Sequence, residues 1–308
     1  MIKTWIIGQS GLFGRALEQN LLTNDRRLYQ PPIAFDWTHI DVLKAQFSQQ
    51  TARFFSTLQT HDRWQIIWAA GKATMRSQEN ELIQETQVLA CFIDSLEKAL
   101  HSQKLPGVLG FTSSAGALYT QSDTRQLSEL SIPNPNTAYG KHKLAQEQLL
   151  TTWSLKNPYC EKILLGRISN LYGPQQDHSK QQGLISHIIR CYRQKTSLPL
   201  FVPLETQRDY IWVHDAAEIF LWHLENSSID KTKAVRIIAQ EQSLSIQDIL
   251  QSLFALTGHA LEVSHCQQAL SKAYPLEVHF QSLYPITKPA FQRIAIEEGL
   301  KKMLSTPE

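Results

Sequence analysis

Thr4-Trp5-Ile6-Ile7-Gly8-Gln9-Ser10-Gly11-Leu12-Phe13-Gly14 decides the fold. Thr4 to Ile7 is short, β-branched and aromatic, the make-up of a buried strand. Glycines at 8, 11 and 14 follow, and a helical pattern then runs through Leu17, Leu21 and Leu22. Strand, glycine turn and helix is the setting in which such glycines bind a dinucleotide. Gly8 permits the tight turn, Gly11 lets the backbone approach a pyrophosphate, and Gly14 lets the helix pack against the strand. Leu12 and Phe13 lie between them and join the candidate cofactor contacts. The helix N-terminus would meet the phosphate charge with free N–H groups. The spacing is GxxGxxG rather than GxGxxG, and the same residues without a ligand would make a bare strand-to-helix turn.

The pattern continues along the chain. Ile33-Ala34-Phe35-Asp36 reads as a second strand, with Asp36 at its end about twenty residues beyond the glycines. A carboxylate there accepts hydrogen bonds from the adenosine ribose and repels a 2′-phosphate, favouring NAD. Arg15, next to Gly14, points instead to NADP, so both dinucleotides stay open. Asp41 is a second candidate near the adenine, with an N-cap of the next helix as its other and more ordinary role. Gln65 to Gly71 reads as a third strand, ending in Ala69, Ala70 and Gly71, small enough to leave room for a cofactor. A helix is expected over 79–100, with Val88, Phe92 and Leu96 on its apolar side. Val108 to Thr112 reads as a strand running into Ser113 and Ser114. Strands alternating with helices, with a motif at each strand end, imply a parallel sheet covered on both faces. Ligands bind at the carboxyl ends of such strands. A further helix over 137–155 carries Tyr139 and Lys143 four residues apart, on one face. Taken alone, that pair could equally lie on a solvated surface.

Composition sets the outer limits. At 308 residues the chain has length for about two domains and a core that can enclose a ligand. Thirty basic and 28 acidic side chains leave +2, too weak a field to hold nucleic acid or an anionic membrane. Cys91, Cys160, Cys191 and Cys266 form no CxxC pair, which argues against a disulfide framework or zinc knuckle and fits a reducing cytoplasm. No apolar run approaches the roughly 20 residues of a membrane helix. The first strand begins at once, so no signal peptide is expected. His39, His61, His142, His178 and His214 show no metal-ligand spacing, and no metal is expected.

Taken together, GQSGLFG (8–14), WAAG (68–71), TSSAGALY (112–119), YGKHK (139–143), RISNLYGP (167–174) and RDYIWVHDAA (208–217) resemble the extended short-chain dehydrogenase/reductases. The likeness is to their nucleotide-sugar epimerase/dehydratase branch. It implies an α/β protein: a Rossmann-like doubly wound parallel sheet with a smaller C-terminal substrate-binding α/β domain. The division it implies is 1–169 for NAD(P), regained at about 208–242, and 170–207 with 243–308 for the substrate. Tyr139 matches the catalytic tyrosine, Lys143 its partner, and Ser114 the third member, with Ser113 as the alternative. Cofactor contacts fall on Gly8, Gly11, Leu12, Phe13, Gly14, Asp36, Ala69, Ala70, Gly71, Thr112, Tyr139 and Lys143. Substrate contacts fall on Ser114, Asn170, Gly183, Phe201 and Arg208. Arginine suits a diphosphate because its planar fork binds two oxygens; an internal pair with Asp209 or Asp215 is the other reading of Arg208. Phe201 is equally a core residue, and Arg293 is a second phosphate candidate. A tyrosine with pKa about 10 would need roughly 4 kcal/mol to reach about 7, which an ammonium and an oxidised nicotinamide can supply.

Departures from the resembling enzymes narrow the reaction. Ala115-Gly116 stand where 4,6-dehydratases carry an acidic pair, and no cysteine lies in 112–119. Gln84-Glu85-Thr86 occupy a place where the family often has an asparagine. What remains is a 4-epimerase or 4-keto reductase acting on a nucleotide sugar, a UDP-sugar first among them, with NAD or NADP. A homodimer formed through helices 79–100 and 137–155 is also implied. Two other readings stand: a non-catalytic NAD(P)-binding regulator, and a reductase of a non-nucleotide carbonyl.

Overall fold

In the computed structural model, residues 1–24, 26–121, 126–174, 183–226, 233–265 and 276–306 are described. His178 and Cys266 lie outside them. The chain opens with β1 (Ile2–Ile7), α1 (Leu12–Thr23), β2 (Arg27–Leu28), α2 (Ile40–Ser56) and β3 (Arg63–Trp68). It continues with α3 (Glu79–Gln103), β4 (Gly107–Ser114), the single turn α4 (Ala115–Leu118), β5 (Gln126–Leu127), α5 (Ala138–Lys156) and β6 (Cys160–Ile168). Next come β7 (Asn170–Tyr172), α6 (Leu184–Gln194), β8 (Leu198–Leu200), β9 (Gln207–Trp212), α7 (Val213–Asn226) and β10 (Lys233–Ile238). The last part holds β11 (Ser243–Ser245), α8 (Ile246–Thr257), β12 (Val263–His265), β13 (His279–Phe280) and α9 (Ile296–Ser305).

Six strands form one parallel sheet in the order β10-β6-β4-β3-β1-β2. Alternation along each strand sends side chains to two cores. Trp5 and Ile7 of β1 join Ile66, Leu109, Phe111 and Leu165 against α2, α3 and α5. Ile6 joins Ile67 and Leu164 against α1 and α7. Burial on both faces explains why these strands read as continuous apolar runs. This is the doubly wound parallel sheet that the strand–helix alternation predicts.

One expected strand is absent. The sequence predicts a strand over 33–36, yet no ladder forms there; the strand beside β1 is Arg27–Leu28, pairing with Lys3 and Thr4. Phe35 is apolar for another reason: it packs onto Trp5 and Phe47 from a loop. Asp36 therefore does not end a strand. Asp41 sits inside the first turn of α2 rather than at its N-cap, which is His39.

Beyond β6 the chain builds a second core. The sheet β11-β9-β7 packs with α6, α8 and α9 through Tyr172, Ile188, Trp212, Ile249 and Leu300. The RDYIW segment is β9 of that smaller sheet, and the chain rejoins the large sheet through α7 and β10. Among the described residues no helix is long and apolar enough to cross a membrane. Cys91, Cys160 and Cys191 are free thiols.

Candidate active site

A cavity of about 900 Å³ opens where β1, β3, β4 and β6 end. Ser10, Gly11, Leu12 and Phe13 form one part of its wall. Helix α1 starts there with Gly11 as N-cap, no side-chain cap and no acidic residue in its first turn. Its first N–H groups are thus left for an anion. Gly8 and Gly14 stand behind this wall. Gly8 has φ +92°, and a Cβ on it would lie 2.4 Å from the Ala70 nitrogen. A Cβ on Gly14 would lie 2.2 Å from the Gly8 carbonyl oxygen. The two glycines let β1, α1 and the segment after β3 close together, a shape that fits a dinucleotide diphosphate.

Ala69, Ala70, Gly71, Thr112, Ser113, Ser114, Tyr139 and Lys143 continue the wall. Thr112 Oγ1 donates to the Trp68 carbonyl at 3.0 Å, tying β4 to β3. Ser113 Oγ is buried without a protein partner, and the Ser114 hydroxyl makes no cap bond to α4. Helix α5 is set by Thr137, whose Oγ1 accepts from the Gly140 N–H at 3.1 Å. Gly140 lies so close to α4 that a Cβ would meet the Ala117 oxygen at 2.3 Å. One turn of α5 then carries Tyr139 and Lys143, the ammonium 5.8 Å from the phenol ring centre.

Lys143 does not stand alone. Its Nζ donates to Glu85 Oε1 at 3.2 Å and to Gln146 Oε1 at 3.1 Å. Glu85 Oε2 accepts from the backbone N–H groups of Lys72 (3.1 Å) and Ala73 (2.9 Å). Burial works against the Glu85 charge, but Lys143 and the Ala73 N–H outweigh it and hold the carboxyl below its ordinary range. Burial likewise works against the Lys143 ammonium, and Glu85 outweighs that, raising it. Tyr139 is raised above 10: burial pushes it up, Lys143 pulls it down, and Glu85 pushes it up again. The sequence predicts an ammonium pulling the phenol down. Burial of the phenol outweighs that pull, and the Glu85 carboxylate adds to the upward shift.

Asn170, Gly183 and Arg208 reach the same cavity from the second core. Asn170 Nδ2 donates to the Asp209 carbonyl at 2.8 Å, and Arg208 donates to the Gln207 carbonyl at 2.7 Å. The carboxylates of Asp209 and Asp215 are engaged elsewhere, by Ser169 with the Gln240 N–H and by the Ile294 N–H. Other expected contacts lie off the wall. The Asp36 carboxylate accepts from Thr38 and contacts His39 at the entrance to α2. Phe201 lies under the Arg76 guanidinium, 5.8 Å from its ring centre. Arg293 is paired with Glu241 at 2.7 Å.

The motifs assign no role to Glu85 or Gln146. Their spacing carried a signal: Glu85 sits between Leu82 and Leu89 on the inward stripe of α3, and Gln146 follows Lys143 by three.

Comparison with known proteins adds to this geometry. The sequence model of the NAD dependent epimerase/dehydratase family matches residues 4–237. A dTDP-L-rhamnose 4-epimerase of Burkholderia thailandensis is 31% identical over 127 residues, 41% of this chain and 34% of that protein, so the chain spans about a third of that relative. A dTDP-4-dehydro-6-deoxyglucose reductase of Escherichia coli is 23% identical over 264 residues, 80% of this chain and 79% of that protein. The solved structure of MoeE5 in complex with UDP-glucuronic acid and NAD superposes with TM-score 0.76 at 18% identity, over 98% of this chain and 97% of that one.

Proposed function

Because the chain belongs to the NAD dependent epimerase/dehydratase family, we propose that it is an NAD(P)-dependent nucleotide-sugar 4-epimerase or 4-keto reductase with Tyr139 as its acid/base. One observation carries this reading. Tyr139 and Lys143 lie on the same cavity wall as the uncapped start of α1, so a proton-transfer group and a phosphate cradle share one space. When bound, the nicotinamide supplies or accepts the hydride. Tyr139 takes or gives the proton of the sugar 4-oxygen, and Ser114, or Ser113, orients that oxygen. Lys143 steadies the phenol and would hold the nicotinamide ribose when the dinucleotide is bound. Asn170, Gly183 and Arg208 hold the nucleotide side, where an arginine matches a diphosphate.

The division into a cofactor part (1–169 with about 208–242) and a substrate part (170–207 with 243–308) belongs to the same reading, with the return moved to Val213 because Gln207–Trp212 form β9 of the smaller sheet. Separate cores on the two sides of the cavity support it. So do a homodimer through α3 and α5, tested by mass in solution, and a cytoplasmic location.

The test is a panel of UDP-, dTDP- and GDP-sugars and their 4-keto forms, each with NAD(H) and NADP(H), with products identified by mass and NMR. Tyr139→Phe should keep dinucleotide binding and lose at least about 100-fold in turnover, the low end of acid–base contributions. Full turnover in that variant would overturn the assignment.

A further inference from the structure

We propose that Glu85 is a positioning residue that cancels the Lys143 charge and keeps Tyr139 a proton donor, so that the site is set for reducing a keto-sugar. This rests on Tyr139 being the acid/base.

The carboxylate is held from two sides. Oε1 faces Lys143 Nζ at 3.2 Å, and Oε2 takes the Lys72 and Ala73 N–H groups at 3.1 and 2.9 Å. Side-chain exposures of 7% for Lys143 and 13% for Glu85 put the pair out of solvent, where charges act strongly on their neighbours. The loop is shaped around it: a Cβ on Gly71 would come within 3.3 Å of both carboxylate oxygens. A neutral amide in this place could accept from the backbone but would leave the ammonium uncancelled.

Lys72 is exposed on the cavity wall, and Glu147 adds to the Glu85 charge at Lys143, but the remaining charges around the pair have partners of their own. Glu147 on α5 holds Arg167 of β6 at 3.0 and 2.7 Å. Tyr119, just after α4, accepts from the same Arg167. His142 on α5 contacts Glu79 and Thr86 of α3. The β4 wall contributes Phe111 and Ser113, which carry no charge. Burial raises the phenol most, and of the charged groups Glu85 is the one that opposes Lys143 there.

A protonated phenol suits one direction of reaction. In reduction the carbonyl carbon accepts a hydride from a reduced nicotinamide dinucleotide, which leaves oxidised. The C=O π pair moves onto oxygen, the Tyr139 O–H bond breaks, and its proton joins that oxygen. The phenolate left beside Lys143 regains a proton from solvent. Oxidation of a sugar alcohol would need that phenolate at the outset.

The test reads Tyr139 itself, without cofactor. Tyrosinate absorbance is titrated in the wild type against Tyr139→Phe, and in Glu85→Gln against Glu85→Gln/Tyr139→Phe. Loss of a nearby negative charge should lower the Tyr139 midpoint by about one pH unit or more. The alkaline limb of kcat for keto-sugar reduction should move the same way, because reduction needs the protonated form. Glu85→Asp keeps the charge but not the reach to both partners, so its midpoint should fall by less; it serves alone if Glu85→Gln does not fold. An unmoved midpoint in the folded variant, with Tyr139→Phe inactive, would overturn the role of Glu85 and leave Tyr139 in place. Full activity of Tyr139→Phe would remove the underlying reading instead. Faster oxidation of a nucleotide sugar alcohol than reduction of its keto form at neutral pH would overturn the assigned direction.

Discussion

Arg167 on β6 grips Glu147 on α5 with two nitrogens, Nε to Oε1 at 3.0 Å and Nη2 to Oε2 at 2.7 Å. Both side chains are at most 7% exposed. Since α5 carries Tyr139 and Lys143, this pair anchors the proposed catalytic helix to the sheet. Removing one partner strands a buried charge, so Arg167→Ala or Glu147→Ala should each cost about 3–5 kcal/mol of stability. Urea unfolding checks the figure. The double substitution should cost less than the sum of the two, since it leaves neither charge unpaired.

Gly14 yields a second prediction. Its absent side chain lets α1 lie against the Gly8 carbonyl, and a Cβ would come within 2.2 Å of that oxygen and 2.8 Å of Gln9 Cα. Both contacts are backbone, so no rotamer change relieves them. Gly14→Ala should lose about 1–3 kcal/mol or more and weaken dinucleotide binding. Thermal melts with and without NAD should show a lower baseline and a smaller ligand shift. Gly116, with nothing within 4 Å of a Cβ, is the control and should tolerate alanine.

What the sequence disclosed follows from the range of each signal. Gly8 to Gly14 and the Tyr139–Lys143 pair are local patterns, legible because a turn and a helix repeat dictate their spacing. The edge strand Arg27–Leu28 was not legible: two residues, one charged and exposed, carry no period. Ile33 to Asp36 misled because Phe35 is apolar for core packing rather than for a ladder. The Glu85–Lys143 pair is 58 residues apart in the chain. The carboxylate stood out as a departure from the family pattern, but only the packing of α3 on α5 shows what it meets.

Asp209 should make stability depend on pH. Burial pushes its carboxyl from 3.8 up to about 6, against the hydrogen bonds of Ser169 and the Gln240 N–H. Its Oδ2 is buried without a partner. The folded chain thus keeps a proton that the unfolded chain gives up. Stability from this group is full below about pH 4 and shrinks as pH rises through about 6, by about 3 kcal/mol in all. Asp209→Asn does not titrate. The stability of the wild type relative to that variant should therefore fall between about pH 4 and 6 and level off above; a flat difference would remove Asp209 as the source.

Glu18 is expected to influence dinucleotide preference. Asp36 is spent on the entrance to α2, and the residues after β2 are Tyr29 and Gln30, neither of them acidic. A carboxylate is nevertheless brought to that corner. Glu18 Oε1 accepts from Gln9 in the glycine turn at 2.5 Å and from Gln30 after β2 at 2.9 Å. In such sheets the acid that accepts from the ribose and repels a 2′-phosphate follows the second strand, and Glu18 brings a carboxylate towards that place from α1. Arg15, whose guanidinium reaches the Ser10 carbonyl on the cavity wall, acts in the opposite sense. Glu18→Gln should therefore shift the NADP-to-NAD affinity ratio towards NADP by about tenfold, or about 1.4 kcal/mol, and Arg15→Ala should shift it towards NAD. Dissociation constants for both dinucleotides, measured by titration calorimetry on the three proteins, decide it. Equal ratios throughout would place the 2′-position away from this corner.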